Sequence, residues 1–289
     1  MKSKVAIARN KDVEKAIPDA LNLIDGLSEL FEAKHVAIKP NDTWASSDDL
    51  TACTRADSVR ATIQYVKRYN PKKITVTGGA GAAETDEVFN LLGIDKVISE
   101  EKVEFFDHNK PPFKAVKLEY GPQKEVMVNP KVFEYDTLVS LAQHKVHGTA
   151  TVTLTMKNIA MSYPAADYYG HPRYTQKHPH NFFKDMHGFI DGMLMKFPID
   201  LGIIVGHPAM IEKGPIGGKT FESELVIVSK DFVAADSVGA KIIGKDFVKH
   251  LVDAEKLGLG TASLSDIEIV GISLDEAIRI FNENAKKAK

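Results

Sequence analysis

The sequence predicts a layered α/β protein, a sheet with helices on both faces and an inserted antiparallel β region. Three observations carry this. Runs of β-branched apolar residues alternate with stretches of helical periodicity, and glycine or proline follows several of these segments. Between residues 103 and 128 the pattern changes to short alternating runs split by Pro111-Pro112 and Gly121-Pro122.

Taken in order, Lys4–Ala8 reads as the first strand, Val13–Leu27 as a helix with Ala16, Ala20, Leu23 and Leu27 on one face, and His35–Ile38 as the second strand. Arg55–Tyr69 is helical, with Val59, Ile63 and Val66 at the right spacing, and Pro71 is the stop signal before the strand Lys73–Thr77. A glycine-rich turn and a helix near Thr85–Leu92 follow. Phe113–Tyr120 and Glu125–Val128 read as antiparallel strands, and Thr137–Ala142 as a buried strand. Tyr163–His187 has little periodicity and reads mainly as loop, a length uncommon without a function or disorder. Leu201–Val205, Glu224–Ser229 and Ile267–Val270 are strands; Val233–Ile243, Phe247–Leu257 and the amphipathic Leu274–Lys286 are helices. With no repeat, linker or low-complexity tract, residues 1–289 read as one domain carrying the inserted region at 103–128 and a lid-like loop at 163–187.

The 289 residues are 44% hydrophobic and 26% charged, which suits a large core and excludes disordered, collagen-like and coiled-coil chains. Lys and Arg total 37 against 39 for Asp and Glu, so the formal charge of −2 gives no long-range field to attract nucleic acid or a membrane surface. One cysteine, Cys53, excludes an internal disulfide framework, a four-thiolate zinc site and an iron–sulfur cluster held within one chain, and it fits a reducing cytoplasm. The amino terminus returns to charge within a few residues, where a signal peptide needs roughly 7–15 apolar ones. No run approaches the ~18 apolar residues of a membrane span.

Histidine is unevenly spread. Seven of the ten, His144, His147, His171, His178, His180, His187 and His207, fall between positions 144 and 207, where an even spread would give about two. Imidazoles gather for metal ligation or for proton exchange; the plainer alternative is a solvated loop with incidental histidines. His144, His178, His180 and His207 are the candidate ligands of a divalent metal, although the spacings match neither HExxH nor a zinc finger.

Lys39-Pro40-Asn41 directly follows a strand, where open α/β sheets place ligands, and an ammonium beside an amide suits an oxyanion; an ordinary strand-ending turn is the competing reading. Gly78-Gly79-Ala80-Gly81 stands between a strand and a helix, so the amides at Gly78, Gly79 and Gly81 are candidates for a phosphate or carboxylate. The third glycine of GxGxxG is missing and Glu84 is close, which argues against a dinucleotide. Lys213–Thr220 imitates a phosphate-binding loop but has lysine where glycine is required and is followed by a strand, so that reading is rejected. From His144-Lys145-Val146-His147 the chain runs through Thr149, Thr151, Thr153 and Thr155 to Lys157-Asn158, a pattern that fits strand or helix. Lys145 and Lys157 are candidates to hold an anion while His147 exchanges a proton.

Several of these motifs, in this order, resemble the family called domain of unknown function 362. KPN after the second strand is matched by Lys39-Pro40-Asn41; K-x-H followed after nine residues by KN is matched by Lys145, His147, Lys157 and Asn158, with Thr153 at the family's threonine. Glu212-Lys213-Gly214-Pro215 echoes the family's EGxGP stretch, Asp231, Ala234 and Asp236 its D-x-x-A-x-D helix start, and Gly258-Leu259-Gly260 its terminal GLG. Many relatives carry a cysteine-rich ferredoxin-like module that this chain lacks, so the resemblance implies that any redox role requires an external redox or acceptor protein. The chain departs from the pattern at Val205-Gly206-His207, where relatives tend to carry aspartate.

These readings converge on an enzyme or enzyme-like binder of a small anionic ligand. Lys39, Asn41, Lys145, His147, Lys157 and Asn158 are expected around one pocket, with His147 as acid or base and the 163–187 loop as a lid. A non-catalytic carrier or maturation protein for a metal or anionic cofactor is the alternative. An RNA binder using Arg173, Lys177 and Lys184 ranks last against the near-neutral charge.

Overall fold

A computed structural model describes residues 2–170 and 185–288. The strands are β1 (Ser3–Arg9), β2 (His35–Pro40), β3 (Lys73–Gly78), β4 (Glu104–Asp107), β5 (Lys114–Lys117), β6 (Glu125–Val128), β7 (Thr137–His147), β8 (Thr151–Thr153), β9 (Leu201–Ile211), β10 (Lys219–Phe221), β11 (Leu225–Ser229) and β12 (Ile267–Gly271). The large sheet runs β12-β1-β11-β9-β7-β2-β3-β4, with β10 beside β9 and β8 beside β7. From β9 to β4 every neighbour on that path is parallel, and β11 is antiparallel to both β9 and β1. β5 and β6 form a separate antiparallel pair.

The central strands are buried on both faces, which is why they read as continuous apolar runs rather than alternating ones. Val36, Ile38, Val139, Leu141, Ile203 and Val205 face the helices Val13–Leu21 and Ala56–Lys67. On the other face, Ala37, Leu138 and Ile204 meet the helices Thr155–Ala160, Met186–Lys196 and Phe232–Ile242. The connection from β2 to β3 therefore leaves over one face and that from β7 to β9 over the other. Adjacent parallel strands whose connections diverge open a crevice at their carboxyl ends, and here the strands are β2 and β7.

Several expected boundaries move. The helix expected over Val13–Leu27 stops at Leu21 and a short helix, Leu27–Phe31, follows Gly26, whose φ of 71° ends helical continuity; Leu23 is 37% exposed and outside both helices. The region expected as an insertion at 103–128 begins with β4, which is parallel to β3 and extends the main sheet, so only β5 and β6 form the small antiparallel sheet. β7 and β9 each run past their expected ends, to His147 and Ile211. The threonine-rich segment is divided between both candidate structures, strand at Thr151–Thr153 and helix at Thr155–Ala160. Within the expected lid, Ala166–Tyr169 is helical and Met186 starts a longer helix, while residues 171–184 lie outside the described residues.

The aspartates of the D-x-x-A-x-D segment build the scaffold. Asp231 caps the helix Phe232–Ile242 through the amide of Ala234 and also accepts from the Ser3 hydroxyl and the Thr261 amide. A Cβ on Gly260 would lie 2.2 Å from Asp231 Oδ1, so the GLG segment closes on this carboxylate only as glycine. Asp236 accepts from the amides of Thr155 and Met156 and from the Thr155 hydroxyl, holding the first turn of the helix that follows β8. No helix among the described residues is long and apolar enough to cross a membrane.

Candidate functional site

The carboxyl end of β2 is tied to β7 and β3 by polar contacts made in the Lys39–Thr43 segment. The Asn41 amide donates to the Leu141 carbonyl and to Thr54 Oγ1. Lys39 is fully buried, and its Nζ donates to Asp42 Oδ1 at 2.6 Å and to the Pro40 carbonyl at 2.5 Å. Asp42 Oδ2 accepts the amide of Gly79 at 2.8 Å. The glycine-rich turn thus directs an amide at an internal carboxylate. Its glycines also permit close packing, since a Cβ on Gly78 would lie 2.1 Å from Thr85 Cγ2 and one on Gly79 would lie 2.4 Å from the Ser162 carbonyl oxygen. Gly81 lies partly exposed in the same turn, which returns to the β2 loop through the Ala82 amide on the Thr43 carbonyl.

Lys145 approaches the same loop from β7 and is also fully buried. Its Nζ donates to the Ala52 carbonyl at 2.6 Å and lies 3.4 Å from the Pro215 carbonyl and 3.5 Å from Thr43 Oγ1. All three are neutral oxygens. Burial pushes the Lys145 ammonium down to about 8, partly offset by Cys53 and Asp42, while Lys39 acts with burial. The thiol of Cys53 donates to the Trp44 carbonyl, and burial pushes it up to about 12. Glu212–Pro215 reaches this point because a Cβ on Gly214, which would lie 2.0 Å from the Val146 carbonyl oxygen, is missing.

Buried acceptors without donors also occur on the elements that meet at the carboxyl ends of β2 and β7. Asn158 donates through Nδ2 to the Lys39 carbonyl at 2.9 Å and to Ser140 Oγ at 3.1 Å, and its Oδ1 is buried with no partner. Asn41 donates to Thr43 Oγ1, again leaving a buried Oδ1 with no partner. Thr153, paired directly across from Lys145, has a buried hydroxyl in the same condition, and so does the Gln143 side-chain carbonyl two residues earlier on β7. Buried polar groups are rarely left unpaired, and a cluster of them marks a place where water or a ligand completes the bonding.

The other predicted residues are distributed more widely. His147 ends β7, and its Nδ1 accepts the amides of Thr149 and Ala150, which leaves the ring proton on Nε2. Lys157 lies with His250 on the face opposite the Ala56–Lys67 helix; burial, then His187 and Lys157, push the His250 imidazole down to about 3. His144 is turned to that face as well, donating from Nε2 to the Gly239 carbonyl at 2.8 Å and packing on Phe281. His178 and His180 lie outside the described residues, as do Arg173, Lys177 and Lys184. Among the described residues no group of three or more His, Cys, Asp or Glu is arranged to hold a metal ion.

His207 occupies a distortion of β9. The register advances from Val205 to Met210 while β7 advances only from Gln143 to Lys145, so His207-Pro208 bulges beside those two side chains. The Pro208 carbonyl and the Thr51 carbonyl both accept from Gln143 Nε2. His207 Nδ1 lies 3.1 Å from Glu222 Oε2, and Glu222 is paired with Arg55 at 2.6 Å. Burial raises the Glu222 carboxyl, but the His207 hydrogen bond and Arg55 outweigh it and hold it below its usual range. Next to these groups opens a cleft of about 460 Å³ lined by Leu50, Thr51, Arg55, Asp57, Leu92 and Pro208. One stretch of backbone separates the cleft from the ammonium: Thr51 lines the cleft and the Ala52 carbonyl caps Lys145.

Asp42, Thr43, Ser140, Arg55 and Glu222 went unnoticed in the sequence. Asp42 had a local signal, a carboxylate three positions after a lysine at a strand end. Glu222 and Arg55 had none, because the bulge in β9 and the start of a distant helix bring them together.

No curated protein matches the sequence. Among solved structures, the lactate racemase apoprotein from Thermoanaerobacterium thermosaccharolyticum is similar with a TM-score of 0.45 and 12% identity, over 73% of this chain and 51% of that one. The chain therefore spans about half the length of that protein. The family model described as domain of unknown function (DUF362) matches residues 36–241, the stretch that contains β2, β7, Lys145 and the segments closing around it, and the chain belongs to this family.

Proposed function

We propose that the chain is an enzyme, or an enzyme-like binder, of a small anionic ligand held at the carboxyl ends of β2 and β7. The observation that carries this reading is the Lys145 ammonium, fully buried and contacted by two carbonyls and a hydroxyl. A buried ammonium is costly without a counter-charge. A carboxylate or phosphate that displaces the Ala52 carbonyl supplies that charge. Asn41 Oδ1 and the Thr153 hydroxyl, one on a side chain bonded to the Thr43 that contacts Lys145 and the other on the residue paired across from it, add acceptors, so the fitting ligand also carries hydroxyl or amine donors. Access comes from the cleft beside Thr51, by movement of the segment that carries Ala52. His147 enters this scheme as a donor through Nε2, because its Nδ1 is committed to two backbone amides.

Calorimetric titration of the untagged protein with inorganic phosphate and with small hydroxycarboxylates tests the proposal. For the hydroxycarboxylates, ionised throughout, affinity is expected to be level from about pH 6 to about pH 8 and to fall about tenfold per pH unit above it, as the free Lys145 loses its proton. Lys145→Met should weaken binding at least tenfold, the range of a hydrogen bond to a charged group. Binding that is indifferent to both changes removes Lys145 as the anion seat.

A further inference from the structure

We propose that His207 and Glu222 form a proton-accepting pair for the ligand held at Lys145: Glu222 orients the ring, and His207 Nε2 takes a proton from an O–H or N–H group on that ligand. The inference rests on the reading of Lys145 as the anion seat and assigns that seat a chemistry.

Three structural facts support it. First, the Glu222 carboxylate can only accept a hydrogen bond, so its contact with His207 Nδ1 at 3.1 Å places a proton on Nδ1, and the neutral ring then carries its lone pair on Nε2. Second, Nε2 is buried and has no hydrogen-bond partner. A buried acceptor with its tautomer imposed from behind is what a general base requires, and the arrangement repeats the base-and-orienting-carboxylate logic of catalytic dyads. Third, the pair stands beside the anion seat: His207 lies in the bulge between the partners of Gln143 and Lys145, and the Arg55 guanidinium that holds Glu222 lines the adjoining cleft. Arg55 restrains the carboxylate at 2.6 Å, which keeps it aimed at the ring without taking the ring proton.

The transfer balances without an outside reagent. The X–H bond of the ligand breaks, its electron pair stays on X, and the proton forms a bond with Nε2. The imidazolium is stabilised by Glu222, and the negative charge on X by the neighbouring Lys145 ammonium. Glu222 is a positioning residue in this scheme.

Long-range proton–nitrogen spectra of the uniformly ¹⁵N-labelled full chain test it, with His207→Gln identifying the His207 signals. In the unliganded protein, His207 is expected as the Nδ1–H tautomer. Glu222→Leu removes the acceptor that fixes this tautomer and should let the Nε2–H form appear. Inorganic phosphate, whose monoanion supplies the O–H, should shift the His207 Nε2 signal in the wild type. In Lys145→Met the tautomer should persist while the phosphate response disappears. An Nε2–H tautomer in the wild type, or an Nδ1–H tautomer unmoved by Glu222→Leu, overturns the proposal. Phosphate that binds through Lys145 yet leaves His207 unmoved also overturns it and spares the anion seat. Failure of phosphate and small hydroxycarboxylates to bind at all sinks the anion seat and this proposal with it, even where the expected tautomer is found.

Discussion

Asp191→Asn is expected to stabilise the protein at neutral pH and to do so by an amount that grows with pH. Asp191 sits on the helix Met186–Lys196, fully buried, with neither carboxyl oxygen hydrogen-bonded. Burial is the main cause that pushes its carboxyl up to about 8; Asp253 and Asp185 reinforce it and Lys249 opposes it. The native state therefore keeps a proton that the unfolded chain releases above about pH 4. Its contribution is whole below that pH and is lost as pH rises toward 8. Between about pH 4 and pH 7 the loss amounts to about three pH units at about 1.4 kcal/mol each, or about 4 kcal/mol at most. Asparagine has nearly the same shape and cannot ionise. Urea titrations at about pH 5 and about pH 7 should show the variant ahead by a midpoint gap that widens by about 1 M, at a slope of about 2–3 kcal/mol per M. Subtracting the wild type cancels every other titrating group. A gap that stays constant across those pH values would refute the claim that Asp191 is protonated in the fold.

Gly214→Ala places a methyl group 2.0 Å from the Val146 carbonyl oxygen, so the Pro215 carbonyl must leave Lys145; phosphate affinity should fall several-fold with a stability loss of about 1–3 kcal/mol, and unchanged titrations contradict the packing. Cys53, buried and with its thiol at about 12, should resist iodoacetamide at about pH 8 in the native protein and react in urea; rapid native labelling, read by mass spectrometry, is the contrary result. Lys39→Met strands the buried Asp42 carboxylate and should cost about 3–5 kcal/mol, whereas Lys145→Met strands no paired carboxylate and should cost under about 2 kcal/mol. Equal losses in denaturant titration would erase the distinction between the two lysines.

Much of the fold was legible because burial on both faces leaves a coarse mark on sequence. The cores of β2, β7 and β9 appeared as apolar β-branched runs, and the helix Thr85–Leu92 appeared with both ends in place. Their extensions were hidden because the last residues of β7, Gln143 to His147, are polar except for Val146 and carry the marks of a loop, yet every one of them is buried. In β9, Gly206-His207-Pro208 is buried too, although glycine and proline around one polar residue read as a break. At these positions polar side chains replace the apolar pattern on which strand reading depends, so the reading fails where the candidate chemistry begins. β4 was misplaced for a different reason: four residues with half-exposed phenylalanines look alike whether they join a parallel edge or a hairpin.

The candidate site shows the limit of motif reading more sharply. Lys39 and Lys145 stand at the ends of adjacent parallel strands, each in a short motif that suits an anion, and both are fully buried. What separates them is the partner. Asp42 meets Lys39 and, through its second oxygen, the Gly79 amide, so this lysine and the glycine-rich turn satisfy one another and join β2 to β3. Lys145 meets carbonyls and a hydroxyl. A buried pair whose bonds are complete is scaffold, since an entering anion would have to displace a carboxylate already in place. An ammonium held by neutral oxygens gains from an anion, because the displaced carbonyls carry no net charge. The anion seat proposed above therefore lies on β7 and not at the KPN segment, where Lys39 holds the loop that covers Lys145.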